Sequence, residues 1–203
     1  MTPSDRYLIA DPIWRGETAV VIATGPSLTA EQVDRIRGRA RVIAVSDAWR
    51  LAPWADVLYS CDAKWWHHHR NAQKFAGLKV GLTDCITFPA VRLMRHRLRD
   101  GFDADPGYLA TGANSGYQAV HLAAHFGASR IVLLGFDMRE TQRSHFFGDH
   151  PPGLKRESPY ATWIERFRTL AAPLRGRGVE VINCTPGSAL DAFPAGELDE
   201  VFP

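Results

Sequence analysis

Residues 20–28, Val-Val-Ile-Ala-Thr-Gly-Pro-Ser-Leu, form an apolar run that stops at a turn and restarts as a helical pattern. Gly25 admits a close backbone approach, Pro26 fixes the turn and Ser27 offers a hydroxyl, a combination that suits an anion held by backbone N–H groups. The same residues are ordinary turn chemistry, so alone they fit a plain strand-to-helix connection equally well. The segment matches neither GxxxxGK[ST] nor GxGxxG. A second segment, residues 110–117, reads Ala-Thr-Gly-Ala-Asn-Ser-Gly-Tyr and leads into another helical pattern. Thr111, Gly112, Asn114 and Ser115 bring hydroxyls, an amide and a glycine-rich backbone to a helix N-terminus, which suits a phosphate or a sugar hydroxyl. Helix capping explains one Ser or Asn, but not the whole run.

Acidic residues recur where apolar runs end. Asp47 follows Ser46, Asp62 follows Ser60 and Cys61, and Asp137 follows Gly135 and Phe136. In an open α/β sheet, ligands sit beyond the carboxyl ends of the strands, so three such carboxylates can face one crevice. Asp47 and Asp137 also suit local turn caps. Asp62 has a stronger claim, because an apolar strand delivers it directly before the aromatic segment Ala-Lys-Trp-Trp-His-His-His-Arg.

The elements that must position these residues alternate between β-rich runs and helical patterns, the signature of parallel strands joined by crossovers. Strands are expected at residues 19–24, 41–46, 56–61, 78–82, 130–136 and 179–184; several are apolar on both faces, as buried parallel strands are. A first helix starts at Thr29, with Gln32 in the reciprocal capping position and Gly38 as its stop. A second runs from Ser115 to Gly127, and a third, over residues 158–178, is amphipathic with a break expected near Pro173. The expected fold is α/β: a single Rossmann-like domain over residues 1–203, with a mostly parallel open sheet and helices on both faces. Residues 138–157 lack periodicity and read as a functional loop or lid.

At 203 residues and 45% hydrophobic content, the chain suffices for one well-buried core and is short for two domains. A formal net charge of +2 gives no electrostatic basis for general nucleic-acid binding. Cys61, Cys85 and Cys184 are odd in number and widely spaced, which indicates neither a disulfide framework nor a CxxC metal site and points to the reducing cytoplasm. No apolar run approaches a transmembrane length and no export signal is visible, so a soluble protein is expected.

The order Gly-Pro-Ser-Leu, a strand ending in a small residue plus Asp, Thr-Gly-Ala-Asn-Ser-Gly-Tyr, Gly-Phe-Asp and Ser-His-Phe-Phe-Gly-Asp-His resembles bacterial sialyltransferases that use a CMP-activated sugar. The resemblance implies glycosyl transfer, with Gly25, Pro26, Ser27, Thr111, Gly112 and Ser115 on the nucleotide and Asp137 at the Gly-x-Asp position. It implies His150 as general base, with His145 earlier in the same segment. The chain departs from that family at Ser46-Asp47, where the family tends to use Asn, at Asp149 inserted before His150, and in lacking an evident Tyr pair for the leaving phosphate. Tyr160 and Tyr108 are the substitutes at hand.

Residues 42–66 are similar to the hydroxymethylpterin diphosphokinase-like family, which also begins with a Gly-Pro-Ser-Leu turn and has phage and prophage members. That resemblance implies ATP as donor, with Asp47, Asp56 and Asp62 helping to hold Mg²⁺. Both resemblances imply a nucleotide-activated small-molecule donor, CMP-sugar or ATP, and an acceptor that the sequence does not name. Arg139, Arg143, Lys155 and Arg156 serve either chemistry. A third reading is a nucleotide-binding accessory protein without turnover, since a fold does not fix a function. Homo-oligomerisation stays open.

Consecutive histidines at 67–69 point in different directions on a helix and are poor joint metal ligands, so no metal site is assigned. Trp65 and Trp66 fit a core or a wall over a ring-shaped acceptor. His121 and His125 lie on one helix face without the HExxH glutamate and read as packing.

Overall fold

A computed structural model describes residues 6–82, 87–154 and 157–203. Eight strands form one sheet in which every pairing is parallel. They are β1 (Thr18–Ile22), β2 (Arg41–Val45), β3 (Val57–Tyr59), β4 (Leu78–Leu82), β5 (Arg92–Arg97), β6 (Tyr108–Ala110), β7 (Arg130–Leu134) and β8 (Glu180–Asn183), in the order β6-β5-β4-β3-β2-β1-β7-β8. The helices are α1 (Ala30–Arg35), α2 (Ala63–His68), α3 (Ser115–His125), α4 (Tyr160–Gly176) and α5 (Leu198–Val201).

Burial on both sides of the sheet explains the apolar strands. Val20, Ile22, Val42 and Ala44 pack with Val33 and Ile36 of α1 and with Trp65 and Trp66 of α2. Ala19, Val21, Ile43 and Val45 face the other way, against Tyr117 and Val120 of α3 and Phe167 and Leu170 of α4. The sheet is therefore an open α/β sheet of the Rossmann type, as expected. No helix among the described residues is long and apolar enough to cross a membrane.

The six expected strands are present with trimmed ends. β5 and β6 are the two that the apolar pattern misses. Arg92–Arg97 reads Arg-Leu-Met-Arg-His-Arg; Leu93 and Met94 are buried in the core, while Arg95 and Arg97 lie along aromatic faces. Arg95 sits 4.1 Å over the Tyr7 ring and Arg97 4.2 Å over Tyr108.

Thr29 and Gln32 make both bonds of the capping box on α1, and Asn114 caps α3 by accepting from Tyr117 N. The expected break at Pro173 does not occur. The helix continues to Gly176, because Pro173 falls in its last turn, where the missing N–H removes one bond only.

The chain crosses from β1 to β2 with α1 on one face and returns from β6 to β7 with α3 on the other. The strand order thus reverses beside β1, and loops diverge between the carboxyl ends of β1 and β7.

Beneath α3, His121 is buried between Phe102 and His125. Its Nδ1 lies 3.4 Å from Ala110 N, and its Nε2 meets the Asp103 backbone, 3.0 Å from the carbonyl oxygen and 3.2 Å from the nitrogen. Burial pushes its pKa down from 6.5 to about 3. Unfolded chains protonate this histidine below its ordinary pKa while the native chain does not, so its contribution is whole above pH 6.5 and is lost as pH falls from there towards about 3. The urea midpoint should drop over that window with a slope near ~1.4 kcal/mol per pH unit from this group. His121→Leu should be less stable at pH 7.5 but show a shallower slope; equal slopes would mean that His121 is not held neutral.

Candidate functional site

A cleft of about 290 Å³ lies at the carboxyl ends of β1, β2, β3 and β7, bounded by the start of α3 and by the segment between β7 and α4. Its floor is the junction of the β1 and β7 turns. Gly25 N donates to Gly135 O at 2.9 Å, while Ser27 N and Ser27 Oγ donate to the two Asp137 oxygens at 3.1 and 2.9 Å. A Cβ on Gly25 would stand 1.9 Å from Asp137 Oδ2 and 2.5 Å from Gly135 O, so only glycine fits. Burial raises the proton affinity of Asp137, against the two Ser27 donors that lower it. Its carboxylate therefore borders the cleft while latching the Gly-Pro-Ser turn. Behind it, Phe136 N donates to Thr185 Oγ1 and Ala189 N to Asp137 O, anchoring the end of β7.

The second polar segment divides in two. Ala113, Asn114, Ser115 and Gly116 line the cleft, whereas Thr111 and Gly112 shape the turn from behind. Thr111 N donates to Arg97 O and Arg99 O, and its carbonyl accepts from Gln118 Nε2. Gly112 has φ +48, and a Cβ there would lie 2.4 Å from the Tyr117 ring. Ser115 Oγ accepts from Cys61 N and donates to Cys61 Sγ, tying α3 to the end of β3. Thr111 and Gly112, expected beside the ligand, do not line this cleft, and Gly112 lies against the Tyr117 ring.

The three strand-end acids also part company. Asp62 lines the cleft and caps α2 by accepting from Lys64 N at 2.8 Å. Asp47 is buried away from the cleft, accepts from Trp65 Nε1 at 2.7 Å and lies 3.3 Å from His69 Nε2. Burial raises its proton affinity, but His69 and Trp65 outweigh that and keep it ionised below the usual carboxylate range. Trp65 stands in the cleft wall instead, with Ser46 beside it at φ +47. Trp66 belongs to the core and donates to Ser60 O. Asp56 precedes β3, at the opposite end of the sheet, where it accepts from Val42 N and meets Arg41. The carboxylates that the second resemblance assigns to Mg²⁺ therefore do not converge and do not fit that ion as a set. Among the described residues no group of three His, Cys, Asp or Glu side chains is arranged to hold a metal. His67 meets Thr87 and Phe88 while His69 turns to Asp47, as their helical spacing requires.

His145 and His150 both line the cleft, their ring centroids 4.4 Å apart. His145 is stacked on Phe147, and its Nδ1 shares a hydrogen bond of 3.0 Å with Thr24 Oγ1. Phe146 N donates to Thr24 O, so one residue of β1's turn docks the loop by both its backbone and its side chain. Burial, followed by repulsion from His150, pushes His145 down to about 4, and burial also lowers His150. Two imidazoles uncharged at neutral pH thus stand at the mouth of the turn, each able to accept a proton. Tyr160 lines the cleft; Tyr108 lies in β6 under Arg97 and does not. Arg139 and Arg143 do not line it, and Lys155, Arg156 and Cys85 lie outside the described residues.

Sequence reasoning missed Thr24, Met138 and Trp163. Thr24 was within reach, as the residue before the glycine turn, but its partner comes from a distant loop. Met138 carries the one available signal only in the backbone: with Ser46 and Ala113 it makes three non-glycine cleft residues with positive φ, a conformation costly for such residues and frequent at functional sites.

No family model matches the chain, and no curated protein matches it. A solved structure is similar: the sialyltransferase CstII from Campylobacter jejuni in complex with a substrate analogue, cytidine-5'-monophosphate. The two share 14% identity over 89% of this chain and 85% of that one, with a TM-score of 0.57. The chain thus has a sialyltransferase-like fold.

Asp137→Ala, which strands the Ser27 N–H, should cost about 1–3 kcal/mol in urea unfolding, and Gly25→Ala should cost about 1–3 kcal/mol through overpacking. Wild-type stability in both would dismiss the latch. An NMR titration should place the His145 midpoint near 4, and a midpoint at 6.5 would show that the loop does not bury it.

Proposed function

We propose that the chain is a transferase that moves a glycosyl group from a CMP-sugar-type donor to an acceptor hydroxyl. The observation that carries this reading is the pair of uncharged imidazoles held at the Gly-Pro-Ser turn and the α3 N-terminus within one cleft. The sialyltransferase-like fold supports it.

Backbone N–H groups at the start of α3 are the groups suited to the donor's phosphate, because the helix dipole favours negative charge there, while the Gly25 turn, whose own N–H groups are taken by Gly135 and Asp137, borders that position. As the bond between the sugar's anomeric carbon and the phosphate oxygen breaks, the electron pair leaves with CMP, and the acceptor oxygen forms the new bond. Its proton goes to an imidazole, His150 in the first place, since His145 Nδ1 is already engaged by Thr24. The Tyr160 phenol, at the start of α4, is placed to donate to the departing phosphate, the task for which the sequence lacks a tyrosine pair. Burial helps twice. It keeps the imidazoles in their accepting form and strengthens every dipole aimed at the phosphate.

CMP should raise the apparent melting temperature without added metal, since a ligand that binds only the native state stabilises it. His150→Ala should lower CMP-sugar turnover by roughly 10²–10⁴-fold, the usual worth of a general base, while the CMP shift persists. The rate should be flat near neutral pH and fall on the acid side, below 6.5, as the imidazoles take up protons. Absence of both a CMP shift and CMP release from any CMP-sugar would overturn the reading; a shift without turnover would leave a nucleotide-binding protein only.

A further inference from the structure

The cleft opens outwards into a second cavity of about 570 Å³, within the roughly 300–1,000 Å³ typical of small-molecule sites. The two share Ser144, His145, His150, Glu157, Ser158 and Tyr160. A compound in the outer cavity therefore meets the imidazole pair from the side opposite the glycine turn, which is where a group that gives its proton to His150 must stand.

The two cavities differ in lining. Phe136, Met138, Leu154 and Trp163 give the inner one apolar walls, and none of them borders the outer one. The outer cavity adds Glu140, Thr141, Asp149 and Pro159, so its lining is hydroxyls, carboxylates and imidazoles with a single apolar side chain. An ionised carboxylate only accepts hydrogen bonds, and two such oxygens match neighbouring hydroxyls or an ammonium group. Asp149 gives one oxygen to Ser144 Oγ at 3.0 Å and keeps the rest of its accepting capacity. A negatively charged occupant would meet the exposed carboxylates of Glu140, Asp149 and Glu157 together, and three like charges around one cavity disfavour an anion.

We infer that the outer cavity is the acceptor subsite and that it takes a polyhydroxylated compound that is neutral or amine-bearing, and rejects anionic ones. This rests on the transferase reading above, to which it adds the acceptor's chemical class and Glu140 as a residue that sets it.

The test uses the full chain saturated with CMP and three matched probes: methyl glucoside, methyl glucosaminide and methyl glucuronide, measured by ligand-observed NMR. The glucoside and glucosaminide should bind at least fivefold more tightly than the glucuronide. Glu140→Gln should narrow that ratio at least threefold, and Glu140→Lys should bring the glucuronide level with the glucoside. Equal binding of all three, preference for the glucuronide, a ratio unmoved by either variant, or binding by none overturns the assignment. If CMP gives neither a thermal shift nor release from a CMP-sugar while the sugar order holds, the transferase reading fails and the outer cavity is a sugar-binding site without an acceptor role.

Discussion

The contact on which the cleft depends is the approach of the β1 turn to the end of β7. Gly25 lies so near Asp137 and Gly135 that no side chain fits, and this closeness lets one carboxylate receive both the N–H and the hydroxyl of Ser27. The bond from Gly25 N to Gly135 O joins the two strands where the strand order reverses, so the latch closes the point at which a Rossmann-type sheet opens for a ligand. Asp137 is in turn held from behind through Ala189, and its neighbour Phe136 through Thr185. A loop that would otherwise sample many conformations is thereby held in one, and the cost of ordering it falls on folding and not on binding.

From this latch the rest of the site follows by adjacency. Thr24, one residue before Gly25, holds His145 by its hydroxyl and Phe146 by its carbonyl, so the segment after β7 folds back over the turn that β7 helped to build. The aromatic rings of that segment displace water from the imidazoles, and the loss of water makes them weak bases that stay uncharged at neutral pH. On the far side, Ser115 ties the start of α3 to Cys61, which sets the helix N-terminus against the same cleft. Buried Asp47 serves the site indirectly by holding the edge of Trp65, whose other side is cleft wall.

The two linings of the combined cavity have a common cause. The inner cleft takes its apolar walls from Phe136 and Met138, buried just beyond β7, and from Leu154 and Trp163, which pack against the core, whereas the outer cavity is bordered by a loop and the start of α4, where polar side chains meet solvent. An apolar inner cleft and a polar outer cavity arise from that gradient of burial.

The chain by itself determined the parallel sheet, because double-sided apolar runs have no stable home except between two helix layers. It determined the capped starts of α1 and α3, since Thr29 with Gln32 and Asn114 with Tyr117 act within one turn. It also marked the two turns and the histidine segment that the structure brings to one cleft. What it did not determine depends on contacts between distant segments. Charged β5 is a strand through its ladders to β4 and β6 and the burial of Leu93 and Met94, with Tyr7 and Tyr108 covering two of its arginines, pairings that no local pattern records. Of the acids, Asp62 and Asp137 reached the cleft, Asp47 was covered by Trp65, and Asp56 stayed at the other end of the sheet; Thr111 and Gly112 do not line the cleft, and the Tyr117 ring lies against Gly112. Residue types and local turns are written along the chain, but which polar group meets solvent, partner or cleft is settled only when strands far apart in sequence are packed side by side.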